Sequence, residues 1–239
     1  MTSILTTKLI IMYALLIASA AAFMYFKAKK QMLLATILKG MSTWIIIGGA
    51  LFLTLGSSLS LFTILIVAAL AMGLAGDVSL SLPGHGLMAG MLFFGLGHIS
   101  AVVAMAYVLG STALITIPIA VALFFLLFFI QRKLGVSPPQ KLKIPVLAYS
   151  AIISCMLSVA LTVPFFIFPN GLILLFAGLV FTVSDLALAI NSFAKKDNDE
   201  KAEPSASESA PVAASSTVFS LSCYFLGQSL FAVSVYFFG

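Results

Sequence analysis

The sequence predicts an all-α integral membrane protein with eight transmembrane helices, and three observations lead to that prediction. Of the 239 residues, 62% are hydrophobic and 8% are charged, whereas soluble globular domains carry about 25% charged residues. The mean hydropathy is +1.21. The apolar residues fall into runs of about 20, the length that an α-helix needs to cross a bilayer. We therefore expect a single transmembrane domain over residues 1–239.

Eight apolar runs are separated by breaks that are rich in Gly, Pro, Ser or charged residues. The predicted spans are residues 9–26, 32–55, 59–79, 87–109, 112–131, 144–164, 170–191 and 217–238. Residues 18–20 resemble a signal-peptide cleavage site, but the lysine cluster after the first run favours a retained helix that starts outside the cytoplasm. Residues 194–216 are rich in Ser, Ala, Glu and Lys, and we expect a flexible cytoplasmic loop there.

The positions of the basic residues support this count through the positive-inside rule. With eight spans, most of the 12 Lys and Arg side chains fall on one side: Lys27, Lys29, Lys30, Arg132, Lys133, Lys141, Lys143, Lys195, Lys196 and Lys201. Lys8 lies on the opposite side, and Lys39 lies inside a span. Both termini are therefore expected outside the cytoplasm, and the setting is expected to be a bacterial inner membrane. The net charge of +5 is assigned to orientation and lipid headgroups, not to nucleic acid.

A weak internal repeat links spans three and seven. Residues 76–82 and 184–190 share the pattern small, Asp, apolar, small, Leu, small, apolar, with Asp77 and Asp185 at the second position. The two segments lie four spans apart and run in the same direction, which predicts two parallel four-helix halves. The alternative is a chance match, because small and apolar residues are common in this chain.

Four ionisable side chains fall inside the predicted spans, namely Lys39, Asp77, His98 and Asp185. An Asp or Lys at the centre of a membrane helix costs about 2.5–3.5 kcal/mol, so each is expected to face protein or water. Lys39 is about seven residues into its span, roughly 10 Å from its start. The two Asp residues lie toward the inner ends of their spans, and His98 lies near a midpoint. One polar pocket that opens toward the inner leaflet would accommodate all four.

These side chains also have ordinary structural explanations. Lys39 could extend along lipid to the headgroups, Asp77 could mark a helix end, and His98 could bond to a carbonyl group. A metal site built from Asp77, His98 and Asp185 is a further alternative, disfavoured because the chain contains only 2 histidines. The sequence has no G-x-S-x-G, H-E-x-x-H or phosphate-loop motif, so it lacks the standard signatures of those catalytic classes.

Short motifs follow one another in a characteristic order. They are Lys39 in span two, Gly76-Asp77 with Leu80 in span three, Phe94-x-x-Gly97-His98 in span four, Leu174-Leu175-Phe176-Ala177-Gly178 before Ser184-Asp185 in span seven, and Tyr224-Phe225-Leu226-Gly227-Gln228 in span eight. This order resembles the YhhN family of membrane proteins and covers most of the chain from span two onward. Two positions depart from the family pattern: Gly40 replaces a proline that typically follows the lysine, and Ala101 replaces a tyrosine three residues after the histidine.

Characterised YhhN proteins are lysoplasmalogenases, which hydrolyse the vinyl ether of lysoplasmalogens to a fatty aldehyde and glycerophosphocholine or glycerophosphoethanolamine. The resemblance implies a lysophospholipid substrate, contact with membrane lipid, and a reaction without a cofactor or metal. It implies that Asp77 and Asp185 form the catalytic pair. Two buried carboxyl groups in unlike environments are the arrangement expected for acid/base chemistry.

The resemblance also suggests supporting roles for four other side chains. Lys39 would pair with the ionised Asp or contact the substrate phosphate. His98 would orient a water molecule or an Asp. Tyr224 and Gln228 would line the pocket.

Three other functions are compatible with the same residues. Buried Asp and Lys groups near a repeat interface are common in proton-coupled transporters. The polar residues could instead hold the helices of a binding or assembly protein together without turnover. A hydrolase of another ether or ester lysolipid would have the same features.

Overall fold

The computed structural model of the chain describes residues 2–55, 58–81, 86–194 and 214–239. Within these ranges the chain forms eight α-helices, which in chain order are α1 Thr2–Ala28, α2 Met32–Leu53, α3 Leu61–Leu80, α4 Gly86–Leu109, α5 Thr116–Lys133, α6 Lys143–Phe166, α7 Gly171–Phe193 and α8 Ala214–Phe238. Short 3₁₀ helices occupy Gly110–Ile115 and Gln140–Leu142. The described residues contain no β-strand, only an isolated antiparallel bridge between Val136 and Ala194. The predicted all-α class is confirmed.

Seven segments of the described chain are long and apolar enough to cross a membrane. One of them, Gly86–Lys133, has 48 residues and includes both α4 and α5. A continuous helix of that length would be about 72 Å long, more than twice the ~30 Å hydrocarbon core. The chain instead changes direction at the 3₁₀ helix, where Gly110 has a φ of +60° that glycine adopts without steric cost. The protein is therefore a multi-pass membrane protein.

The helix boundaries differ from the predicted spans by more than two residues at three places. α1 begins at Thr2 instead of residue 9, and α5 begins at Thr116 because the preceding residues form the 3₁₀ turn. α8 begins at Ala214, so the last residues of the predicted loop are helical. Residues 195–213 of that loop, with Lys195, Lys196 and Lys201, lie outside the described residues.

The helices pack in two similar sets. α1 packs on α2 and α3 on α4, while α5 packs on α6 and α7 on α8. Between the sets, α4 packs on α6 and α8 packs on α2. If α1, α2, α3 and α4 are matched with α5, α6, α7 and α8 in that order, each of these contacts has a counterpart in the other set. Two parallel halves would produce this relation.

Small residues bring α3 and α4 close together. A Cβ atom added at Gly97 would lie 3.0 Å from the carbonyl oxygen of Ala69, and one at Gly86 would lie 2.5 Å from that of Ser79. Only glycine permits this separation of the two backbones. The core between the helices is filled by large apolar side chains such as Phe62. Others, such as Phe165, are exposed on the outer surface, as expected for a surface that faces lipid.

One end of the bundle carries the described basic residues of the helix connections. The α1–α2 connection contains Lys29 and Lys30, and the bridge between Val136 and Ala194 places the α5–α6 connection beside the end of α7. Ser192, near that end of α7, lines the same cavity as Lys27 at the end of α1. We call this end of the molecule the basic end.

Candidate active site

Lys39 and Asp77 form an ion pair inside the helix bundle. Lys39 Nζ, from α2, lies 2.7 Å from Asp77 Oδ1, from α3. The side chain of Asp77 is 1% exposed and that of Lys39 is 16% exposed. Among the described residues, Oδ1 has no partner other than this ammonium group. The lysine therefore does not extend to the headgroups, and the aspartate is not an exposed helix end.

The second carboxylate oxygen of Asp77 accepts two hydroxyl groups. Tyr224 OH, from α8, donates to Oδ2 at 2.8 Å, and Thr43 Oγ1 donates to it at 3.1 Å. Gln228 Nε2 donates in turn to Tyr224 OH at 2.7 Å, and its Oε1 lies 3.4 Å from Thr43 Oγ1. Lys39 Nζ lies 5.4 Å from the centre of the Tyr224 ring, within cation–π distance. These five residues form the Asp77 cluster.

Asp185 belongs to a second cluster, with His98 and Tyr149. His98 Nε2, from α4, lies 2.9 Å from Asp185 Oδ2, from α7. The same nitrogen lies 3.2 Å from Tyr149 OH, from α6, and this hydroxyl also interacts with the Asp185 carboxylate. Phe181 packs edge-on against the imidazole ring, with 4.9 Å between ring centres. Because an ionised carboxylate only accepts hydrogen bonds, Nε2 carries the proton when Asp185 is charged.

The two clusters meet at one cavity of about 500 Å³. Asp77 and Asp185 both line it, together with Lys39 and Tyr224. Apart from Phe94 of α4, the remaining lining comes from the ends of α1, α3 and α7 and the starts of α2 and α8, so the cavity lies toward the basic end.

His98 and Gln228 lie behind this cavity. Both line a separate cavity of about 20 Å³ between the clusters, large enough for about one water molecule. The expectation that one pocket would contain all four ionisable residues is therefore correct for three of them. His98 does not line the main cavity but is hydrogen-bonded to Asp185, which does. Gln228 is likewise hydrogen-bonded to Tyr224, which lines the cavity.

The described residues contain no group of three or more His, Cys, Asp or Glu side chains placed to hold a metal ion. Asp77 lies in a different cluster from His98 and Asp185. The metal alternative is therefore not supported by the positions of the three residues on which it depended.

Sequence reasoning missed Thr43 and Tyr149. Thr43 lies four residues after Lys39, so the two share a helix face, and that spacing could have identified it. Tyr149 lies in an otherwise apolar stretch, and a buried tyrosine hydroxyl usually has a hydrogen-bond partner. Neither signal identifies which carboxylate the hydroxyl contacts.

The fold and the site together define a multi-pass helical membrane protein with two buried carboxylates on one internal cavity. One carboxylate is paired with a lysine, and the other is bonded to a histidine. The YhhN family model matches residues 4–235, and the chain belongs to this family, as the order of its motifs suggested. No curated protein and no solved structure matches the chain.

Proposed function

We propose that the protein is a lysoplasmalogenase, an ether hydrolase that converts lysoplasmalogens to a fatty aldehyde and glycerophosphocholine or glycerophosphoethanolamine. One observation carries the proposal: Asp77 and Asp185 line the same cavity in unlike surroundings. Vinyl ether hydrolysis needs a proton donor and a group that activates water, and two such carboxyl groups supply both. Membership of the YhhN family supports the same reaction.

We propose different roles for the two carboxyl groups, based on their contacts. Asp77 receives the Lys39 ammonium and the hydroxyl groups of Thr43 and Tyr224, a set of donors that suits an ionised carboxylate. Asp185 faces the imidazole of His98 at hydrogen-bond distance, a geometry that allows a proton to pass between the two groups. We assign Asp77 as the base that activates water and the His98–Asp185 pair as the proton source.

The reaction then proceeds in two balanced stages. The His98–Asp185 pair transfers a proton to the β-carbon of the vinyl ether, and the C=C electron pair forms the new C–H bond. The adjacent carbon becomes an oxocarbenium ion. Water attacks that carbon as Asp77 accepts the water's proton, which gives a hemiacetal. As the hemiacetal collapses, Asp77 returns its proton to the leaving glycerol oxygen, and the C–O bond to that oxygen breaks. The hemiacetal hydroxyl proton passes to the His98–Asp185 pair, which gives the aldehyde and restores both groups. One water is consumed, and no cofactor takes part.

The cavity suits a single-chain lipid with a polar head. Its wall includes apolar side chains such as Phe23, Leu80 and Phe94 beside the hydroxyl and amide groups of Ser81 and Asn191. The apolar part would contact the hydrocarbon tail, and the polar part would contact the head at the basic end.

The proposed arrangement in the membrane has eight crossings, two parallel four-helix halves and both termini outside the cytoplasm. α4 and α5 count as separate crossings because the chain turns at Gly110. The basic end then faces the cytoplasm of a bacterial inner membrane. Reporter enzymes fused to the two termini test this arrangement. A reporter that is active only in the periplasm should be active at both termini. Activity of a cytoplasm-specific reporter at either terminus would overturn the arrangement.

The decisive experiment uses purified protein in detergent with a lysoplasmalogen in D₂O. Fatty aldehyde should appear with one deuterium on the carbon next to the carbonyl group, because the β-carbon receives a proton exchanged with solvent. Unlabelled aldehyde would exclude the proposed protonation step. Release of fatty acid from an ester lysolipid, without aldehyde from the vinyl ether, would assign the protein to a different lipid hydrolase.

A further inference from the structure

We propose that Lys27 and Lys39 form an anion-binding subsite for the headgroup phosphate of the substrate, an inference that rests on the proposed function. Lys27, near the end of α1, and Lys39, in the second turn of α2, both line the 500 Å³ cavity. Their ammonium groups are close enough to interact electrostatically. Two like charges on one cavity wall repel each other, and an anion between them removes that repulsion.

Among the described residues, no anionic side chain neutralises the charge of Lys27. Its ammonium group lies 5.7 Å from the centre of the Phe23 ring, and no described carboxylate forms an ion pair with it. Lys39 is already paired with Asp77, so the group of these three residues retains one positive charge. That net charge matches the single negative charge of a phosphodiester.

The lining around the two lysines suits a phosphate. Ser81, Asn191 and Ser192 place hydroxyl and amide groups on the same cavity, and such groups donate to phosphate oxygens. A phosphate held beside Lys39 would also place the rest of the lipid next to Asp77, because the lysine contacts that carboxylate directly. Lys27 is therefore proposed as a residue that selects phospholipids over neutral glyceryl ethers.

Lys29 provides a matched control on the same helix end. It carries the same charge, but its ammonium group lies 5.3 Å from the centre of the Tyr25 ring, and it does not line the cavity. The variant Lys29→Met therefore removes one positive charge from the basic end without altering the proposed subsite.

Binding of saturated ether lipids tests the subsite without hydrolysis. Titration of 1-O-hexadecyl-glycerophosphoethanolamine and of 1-O-hexadecylglycerol into detergent-solubilised protein gives a Kd for each probe. Lys27→Met should raise the Kd of the phospholipid probe about tenfold, the order expected for loss of one charge-assisted contact, and leave that of the glycerol ether unchanged. Lys29→Met should change neither value, and Lys27→Arg should retain most of the phospholipid affinity.

Three outcomes would overturn the proposal. Equal effects of Lys27→Met on both probes would indicate a packing role, and equal effects of Lys29→Met and Lys27→Met would indicate general surface electrostatics. If inorganic phosphate stabilises the wild type but not Lys27→Met, while the two ether probes bind equally well, the site serves free phosphate and the headgroup assignment is wrong. Failure to release aldehyde from a lysoplasmalogen would refute the proposed hydrolysis but would not alter these binding results.

Discussion

Lys39 Nζ lies 2.7 Å from Asp77 Oδ1, and the hydroxyl groups of Thr43 and Tyr224 cover the other oxygen of the carboxylate. The Asp77 carboxylate is buried and the Lys39 ammonium group is largely so, and each charge therefore depends on the other for much of its stabilisation. The same pair keeps an ionised carboxylate on the wall of the cavity, where the proposed reaction needs one. The interaction therefore connects the stability of the bundle with the proposed chemistry.

The substitution Lys39→Met should destabilise the protein by about 3 kcal/mol, because it leaves the Asp77 carboxylate buried without a counter-charge. The double variant Lys39→Met with Asp77→Asn should recover most of that loss, since both charges are then absent. Thermal unfolding in detergent measures both changes. If the double variant is no more stable than the single one, the pair does not act as a unit.

Asp77→Asn and Asp185→Asn should each reduce aldehyde release by at least about 100-fold, the lower part of the range for loss of an acid/base group. Thr112→Ala, at the α4–α5 turn far from either cluster in the fold, serves as the control and should retain activity. Gas chromatography of the aldehyde measures the rates. Full activity in both folded Asn variants would refute the proposed catalytic pair.

Tyr224→Phe should lower kcat about tenfold while the protein remains folded. The ring that packs against Phe94 and Phe181 is retained, and only the hydroxyl that donates to Asp77 is lost. A hydrogen bond to a charged group contributes about 1.5–3 kcal/mol, which sets the scale of the expected effect. Steady-state kinetics on lysoplasmalogen measure it, and an unchanged kcat would exclude this hydroxyl from the mechanism.

His98→Ala should reduce kcat by about 100-fold or more, because it removes the proton-carrying partner of Asp185. Tyr149→Phe should have a smaller effect, about tenfold, since it removes one contact and leaves the His98–Asp185 bond in place. The kcat values of the two variants show which residue contributes more to the reaction. A larger loss of kcat in Tyr149→Phe than in His98→Ala would show that His98 is not the proton-carrying partner of Asp185.

Gly97→Ala should destabilise the protein by about 1–3 kcal/mol, since its Cβ would lie 3.0 Å from the Ala69 carbonyl oxygen and push α3 away from α4. Gly48 is the matched control, because a Cβ there meets nothing within 4 Å. Gly48→Ala should be neutral or stabilising by up to about 1 kcal/mol from helix propensity. Thermal unfolding measures the stability of both variants. Equal changes in stability would show that the close approach of α3 and α4 at Gly97 does not contribute to the stability of the protein.

Much of the site could be predicted from the sequence because charge is rare in this chain. Lys39, Asp77 and Asp185 lie in apolar runs where an unpaired charge is costly, so each was expected to face a polar interior. The structure places all three on one cavity. The concentration of basic residues at one end was likewise predicted, and it holds for the described residues of the α1–α2 and α5–α6 connections.

The pairing within the site could not be predicted in the same way. The sequence left open which aspartate Lys39 contacts, and the structure pairs it with Asp77. A helix that is apolar on all sides carries no periodic signal of the face it presents to its neighbours. The partners of Tyr149 and Thr43 were missed for the same reason.

By itself, the sequence determined the class of the protein and the ionisable residues enclosed in its helices. Composition and run length require a multi-pass helical membrane protein, and the cost of charge in hydrocarbon identifies the residues that must be enclosed. Only the tertiary structure decided that Asp77 forms an ion pair with Lys39 while Asp185 is hydrogen-bonded to His98, and that both carboxylates line one cavity. Those relationships depend on how α2, α3, α4, α7 and α8 are rotated against one another, which is set by close packing between helices and not by the order of residues along any one of them.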